Sequence, residues 1–141
     1  MWEELEECVK KGLVRDIGVS NFNAQTLLDL INCAEIMPVM NQIELHPYLP
    51  QTKLVTYFQS MYKIHFTAYY PVARAGTHPA FGTKVLANEP LLLDLAKKYD
   101  KTPYQIALRW GIQRGTSVIP KTSNEGRLKE NFESTQFELT P

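Results

Sequence analysis

The chain has 141 residues with 44% hydrophobic, 11% aromatic and 21% charged side chains, which supplies a sizeable core and excludes intrinsic disorder. Fifteen Lys and Arg balance fifteen Asp and Glu, so the zero formal charge gives no basis for nucleic acid or an anionic membrane as partner. No apolar run approaches the ~20 residues of a membrane span, the acidic start MWEELEECVKK has no signal-peptide character, and Cys8 and Cys33 lack metal spacing. Two reduced thiols in a cytoplasmic protein are therefore expected.

The predicted elements alternate in period. Trp2, Leu5, Val9 and Leu13 fall near one face of a helix over 2–13, with the acidic residues at 3, 4, 6 and 7 on a solvated face. Gly12 and Gly18 bracket a strand from Val14 to Val19. Asn23 is placed to cap a second helix with Leu27, Leu30, Ile31 and Ala34 on its apolar face, and Pro38 ends it. VMNQIEL at 39–45 reads as a strand. Pro50 then stands near the first turn of a helix burying Leu54, Phe58 and Met61, and IHFTAYY at 64–70 is the next strand.

A long irregular stretch from Pro71 to about Ala87 follows, of a length that is often functional. Asn88 with Pro90 predicts the start of a helix over 91–99. Thr102 with Pro103 repeats that signal for 103–113, and Gly115 stops it. A strand at 117–120 and a last helix at about 124–132 complete an αβαβαβααβα order. Such alternation implies a parallel sheet with right-handed crossovers, either a small open sheet or half of an eight-stranded barrel.

Each strand ends in polar groups that a buried strand does not need: Ser20 and Asn21; Asn41, Gln42 and Glu44; Tyr69 and Tyr70; Lys121 and Thr122. In parallel α/β folds the carboxyl ends of strands hold the ligand. His46 reads as a structural loop residue, His65 as strand surface and His78 as solvated.

The motifs GVSNF (18–22), NQIELHPYL (41–49), TAYYP (67–71) and IPKTSNEGRLKENF (119–132) resemble, in order and spacing, those of the aldo-keto reductases, and the resemblance runs from Trp2 to Pro141. It implies an α/β fold, the C-terminal half of a (β/α)8 TIM barrel holding strands five to eight. Residues 1–141 would form a partial NADP-dependent oxidoreductase domain. It further implies NADPH as cofactor. Ser20, Asn21 and Gln42 match the positions holding the nicotinamide carboxamide, and Tyr69 matches the ring that stacks on the nicotinamide. Lys121, Thr122 and Arg127 match the group around the adenosine 2′-phosphate, with Ser123 and Asn124 in the same segment. Glu130 and Asn131 match the adenine contacts.

There is one departure from the family pattern. After the stacking tyrosine the family has serine, proline, leucine and glycine; here the run is Tyr70, Pro71, Val72, Ala73, Arg74. Tyr70 and Val72 replace smaller or less branched groups beside the pyrophosphate, and Arg74 is a candidate to compensate with charge.

The resemblance implies reduction of aldehydes and ketones, small-molecule carbonyl compounds, to alcohols. A tyrosine, lysine, aspartate and histidine of the barrel's first half do the proton transfer and alkoxide stabilisation there. None of those four matches a position in these 141 residues, so no catalytic residue is assigned and the chain by itself is expected to be inactive. Two readings remain: part of a complete enzyme, or a non-catalytic nucleotide-binding or interaction module. Unpaired sheet edges favour the first and invite self-association. FGT at 81–83, RWGIQR at 109–114 and RLKENF at 127–132 look most like the plant-type aldose-6-phosphate reductases.

Overall fold

A computed structural model describes residues 1–73 and 85–140. Six helices and four strands follow in chain order: α1 (Trp2–Lys10), β1 (Val19–Ser20), α2 (Ala24–Cys33), β2 (Met40–Glu44), α3 (Thr52–Tyr62), β3 (His65–Tyr69), α4 (Pro90–Tyr99), α5 (Pro103–Gln113), β4 (Ser117–Val118) and α6 (Glu125–Glu133), with a 3₁₀ turn at Leu86–Asn88. The strands form one sheet in the order β1-β2-β3-β4, and β1 runs parallel to β2 with Val19 opposite Asn41 and Ser20 opposite Gln42. The alternating order read from the sequence is therefore the order observed.

Two compact units divide the chain. The first comprises residues 1–43 and 51–67. Its buried apolar side chains are Ile17, Leu27, Leu30, Ile43, Val55, Phe58, Ile64 and Phe66. Asn23 caps α2 as expected, its Oδ1 accepting from the Thr26 N–H at 3.0 Å. Four expectations fail here for identifiable reasons. Helix α1 stops at Lys10, and Gly12 adopts φ +70°, so Leu13 is exposed instead of continuing the apolar face. Glu6 is not solvated: its carboxylate is buried and accepts from the Glu35 and Ile36 N–H groups at 2.9 and 3.0 Å, which a backbone turn needs and an apolar side chain cannot supply. Strand β1 covers only Val19–Ser20, because Pro38 offers no N–H and the first ladder bond is Val39 N–H to Ile17 C=O at 3.0 Å. In α3 the buried pair is Val55 and Phe58; Met61 is exposed, since the helix begins at Thr52 and presents a face shifted by one residue.

The second unit comprises residues 44–50 and 68–141, of which 74–84 and 141 are not described. Its core joins Ala73, Leu86, Leu92, Ala96, Ile106 and Ala107, with Tyr48, Leu95, Tyr99, Phe137 and Leu139 packed against them. Thr102 and Gln105 form a reciprocal capping box at the start of α5, with Pro103 in the first turn. Pro90 opens α4 as predicted, but Asn88 lies in the 3₁₀ turn and Glu89 is the cap residue. Strand β4 ends at Val118, two residues short of the expected end, as Pro120 removes a donor.

Candidate functional site

In the first unit the ends of β1 and β2 are locked by hydrogen bonds. The Gln42 carbonyl accepts from both Ser20 Oγ–H at 2.9 Å and the Asn21 N–H at 2.8 Å. Asn41, fully buried, uses its side-chain amide as an extra peptide unit: Nδ2 donates to the Phe22 carbonyl at 2.8 Å and Oδ1 accepts from the Phe22 N–H at 3.4 Å. Asn21 sits between these two ties with φ +61°, a left-handed conformation that Asn tolerates better than most residues. Gly18 comes so close to β2 that an added Cβ would meet the Met40 carbonyl oxygen at 2.7 Å. Ser20, Asn21 and Gln42, three of the residues singled out from the sequence, are thus brought together by backbone geometry.

In the second unit the ends of β3 and β4 and the start of α6 line two cavities. One, of about 670 Å³, is lined by Tyr69, Tyr70, Pro71, Val72, Ala73, Ile119, Pro120 and Lys121. The other, of about 210 Å³, is lined by Val72, Tyr104, Pro120, Lys121, Thr122, Arg127, Glu130 and Asn131. Val72, Pro120 and Lys121 belong to both, so an aromatic, apolar compartment adjoins a charged one. Tyr69 and Tyr70 meet edge to face, with centroids 5.4 Å apart and planes at 77°. The chain leaves β3 through a tight turn in which the Ala73 N–H donates to the Tyr70 carbonyl at 2.8 Å. Tyr70 and Ala73 both hold positive φ, 47° and 57°. Non-glycine residues in this region gather at functional sites.

The charged compartment is built on a helix start. Asn124 caps α6, its Oδ1 accepting from the Arg127 N–H at 3.0 Å, and Thr122 Oγ1 accepts from the Asn124 N–H at 3.1 Å. Capping therefore engages the Asn124 side chain, and neither Asn124 nor Ser123 is among the residues lining these two cavities. Lys121 and Arg127 are exposed and, among the described residues, make no ion pair. Two unneutralised cations beside the positive end of a helix dipole form a surface suited to an anion. Arg74 lies outside the described residues, as do His78 and the FGT run at 81–83.

Two contributors escaped the sequence reading of the site. Asn41 stood out as a polar strand residue but not as the tie that holds the Phe22 backbone; burial of one Asn inside an alternating strand was the available signal. Tyr104, in the first turn of α5, lines the charged cavity, and nothing local distinguishes it from an ordinary helix-surface aromatic. His46, read as structural, is buried with Nε2 3.2 Å from Glu44 Oε1, and His65 is exposed on β3 as read. Among the described residues no group of acidic, His or Cys side chains could hold a metal ion, and no helix is long and apolar enough to cross a membrane.

Comparison with known proteins gives consistent matches. Residues 1–141 match the family described as the aldo/keto reductase family. The chain is 43% identical to aldose reductase C of Dictyostelium discoideum, over 99% of this chain and 41% of the other. It is also 43% identical to the NADP-dependent D-sorbitol-6-phosphate dehydrogenase of Malus domestica, over 99% of this chain and 45% of the other. The structure of the aldose reductase from Schistosoma japonicum superposes with a TM-score of 0.87 at 37% identity, covering 99% of this chain and 42% of that one. The fold is accordingly the α/β fold of part of that barrel. The chain spans less than half the length of the curated relatives it matches.

Proposed function

The chain belongs to the aldo/keto reductase family, and from that premise we propose that residues 1–141 are one partial domain, the NADPH-holding half of an enzyme reducing aldehydes and ketones, aldoses or aldose phosphates among them, to alcohols. The observation that carries this reading is the pair of cations, Lys121 and Arg127, lining one cavity with Glu130 and Asn131 beside an aromatic compartment. When bound, NADPH would supply the hydride.

The residues present fit that group. Arg127 and Lys121 would grip the 2′-phosphate by charge-assisted bonds, aided by the Thr122 hydroxyl and the α6 terminus with Ser123 and Asn124. Glu130 and Asn131 offer acceptor and donor to an adenine edge. Tyr69 presents a ring for offset stacking, and Tyr70 and Val72 wall the same compartment. Ser20, Asn21 and Gln42 would fix a carboxamide, hence which face of the ring is offered. Arg74 would add charge toward the pyrophosphate. The Malus relative, named for a sugar phosphate, supports the aldose-phosphate branch of substrates.

On this reading the protein is cytoplasmic, in keeping with two unpaired thiols. Its partners are small carbonyl compounds, with no nucleic acid and no membrane. The 141 residues by themselves hold and orient the cofactor without turning over, and associate through the outer edges of β1 and β4. The test combines titration of the chain with NADPH and NADH, size-exclusion chromatography, and an NADPH-oxidation assay with a simple aldehyde. NADPH binding tighter than NADH, an associated state and no turnover are expected. Robust turnover by a monomer, or equal affinity for the two nucleotides, would overturn the reading.

A further inference from the structure

Tyr70 stands where local physics argues against it. It precedes Pro71, holds φ +47°, and carries a bulky ring. A large non-glycine residue in this conformation is a genuine outlier, and the residue before a proline is normally extended. Core burial does not explain the ring either, since Tyr70 is 44% exposed. The ring packs against Tyr69: the two meet edge to face at 5.4 Å, and both line the 670 Å³ cavity. Tyr69 is the last residue of β3, and its carbonyl accepts from the Leu45 N–H at 3.4 Å, so the backbone that carries its ring is fixed.

We propose that Tyr70 is a positioning residue: its ring buttresses the Tyr69 ring edge to face, holding it as a fixed platform for a flat heteroaromatic ligand ring in the aromatic compartment. The inference rests on the cofactor reading above and assigns the ligand ring to the nicotinamide end. The strained turn Tyr70–Ala73 is the device that aims the buttress. A side chain on an ordinary extended residue at position 70 would leave in another direction. The hydroxyl of Tyr70 has no part in this role; the ring has.

The experiment separates the two ends of the dinucleotide. NADPH, NADH and 2′,5′-ADP, which lacks the nicotinamide, are titrated against the 141-residue chain and against Tyr70→Gly and Tyr70→Phe. Glycine relieves the backbone conformation, so the midpoint of thermal unfolding should hold or rise. Yet affinity for NADPH and NADH should fall together by about fivefold, the size of an aromatic pair contribution. Affinity for 2′,5′-ADP should stay within about twofold, and Tyr70→Phe should match the unsubstituted chain. Equal loss for NADPH and 2′,5′-ADP, no loss for either, or a Tyr70→Phe variant as weak as Tyr70→Gly would overturn the inference while leaving the cofactor reading intact. Failure of the unsubstituted chain to bind either NADPH or 2′,5′-ADP would overturn both.

Discussion

The strand ends of the two units are built on opposite plans. In the first unit the polar residues are tied to backbone: the Gln42 carbonyl takes two donors, and the buried Asn41 amide takes both polar groups of Phe22. In the second unit the strand ends surround cavities, and the charged groups Lys121 and Arg127 stand exposed. The first plan fixes a shape before any ligand arrives. The second keeps charge and aromatic surface available, with the cost of order set aside until binding. A fixed frame suits a neutral amide, whose recognition depends on donor and acceptor geometry. An open cationic pocket suits a phosphate, whose attraction is long-ranged and forgiving of angle.

The sharpest way to break this comparison is Asn41→Ala. It removes both ties to Phe22 and opens a hole in a fully buried position, leaving the Phe22 N–H and C=O without the bonds they now make. A loss of about 3 kcal/mol in denaturant unfolding is expected. A loss under about 1 kcal/mol would mean that the strand ends of the first unit are not prebuilt as described. Gly18→Ala is a companion test, because its Cβ would meet the backbone oxygen of Met40, which cannot swing aside. It should cost about 2 kcal/mol.

The same contrast explains what the sequence made legible. Helix starts that rest on short-range chemistry, such as the Asn23 cap and the Thr102–Gln105 box, were readable because cap, proline and partner lie within three residues. The roles of Glu6 and Asn41 were not, since each bonds a backbone segment distant in sequence, 29 and 19 residues away for Glu35 and Phe22. A charged residue on an acidic helix reads as solvated until the turn it caps is known. Most of the site was visible as a resemblance of motifs, whereas the cavity wall at Tyr104 and the left-handed turn at Tyr70–Ala73 required coordinates. Alanine in place of glycine at 73 gives no hint from its own chemistry that the position is left-handed.

For the second unit, Arg127→Ala is the strongest probe. The side chain is exposed and only its backbone N–H serves the Asn124 cap, so unfolding stability should change by less than about 0.5 kcal/mol. In the proposed role, NADPH affinity should fall by about 10- to 100-fold, as for a lost charge-assisted bond, with NADH scarcely affected. The salt dependence of NADPH binding should also flatten. Equal loss for both nucleotides would remove Arg127 from the phosphate. Tyr69 gives the next effect in size: Tyr69→Ala should weaken NADPH by about tenfold and Tyr69→Phe by less than about twofold. A phenylalanine variant as weak as the alanine variant would point to the hydroxyl and away from stacking.

The smallest effect concerns the strand exit after β2, which a side-chain hydrogen bond ties to the start of α4. After β2 the chain turns through His46–Leu49, and the Tyr48 hydroxyl donates to Glu89 Oε2 at 2.5 Å. Burial, followed by the hydrogen bond to the Glu89 carboxylate and its negative charge, pushes the Tyr48 phenol up to about 12 from 10. A phenol whose pKa is raised in the folded state favours folding while it stays protonated. Its contribution is therefore complete below pH 10 and is lost as pH climbs through about 12. Tyr48→Phe should cost about 1 kcal/mol at neutral pH. The stability gap between the two proteins, measured by denaturant unfolding, should stay constant up to pH 10 and close between about 10 and 12. Taking the difference between the proteins cancels the lysines and other tyrosines that titrate in the same range. A gap that persists unchanged at pH 12 would show that the Tyr48 hydroxyl does not hold this exit, and the second unit would then resemble the first even less than its open cavities suggest.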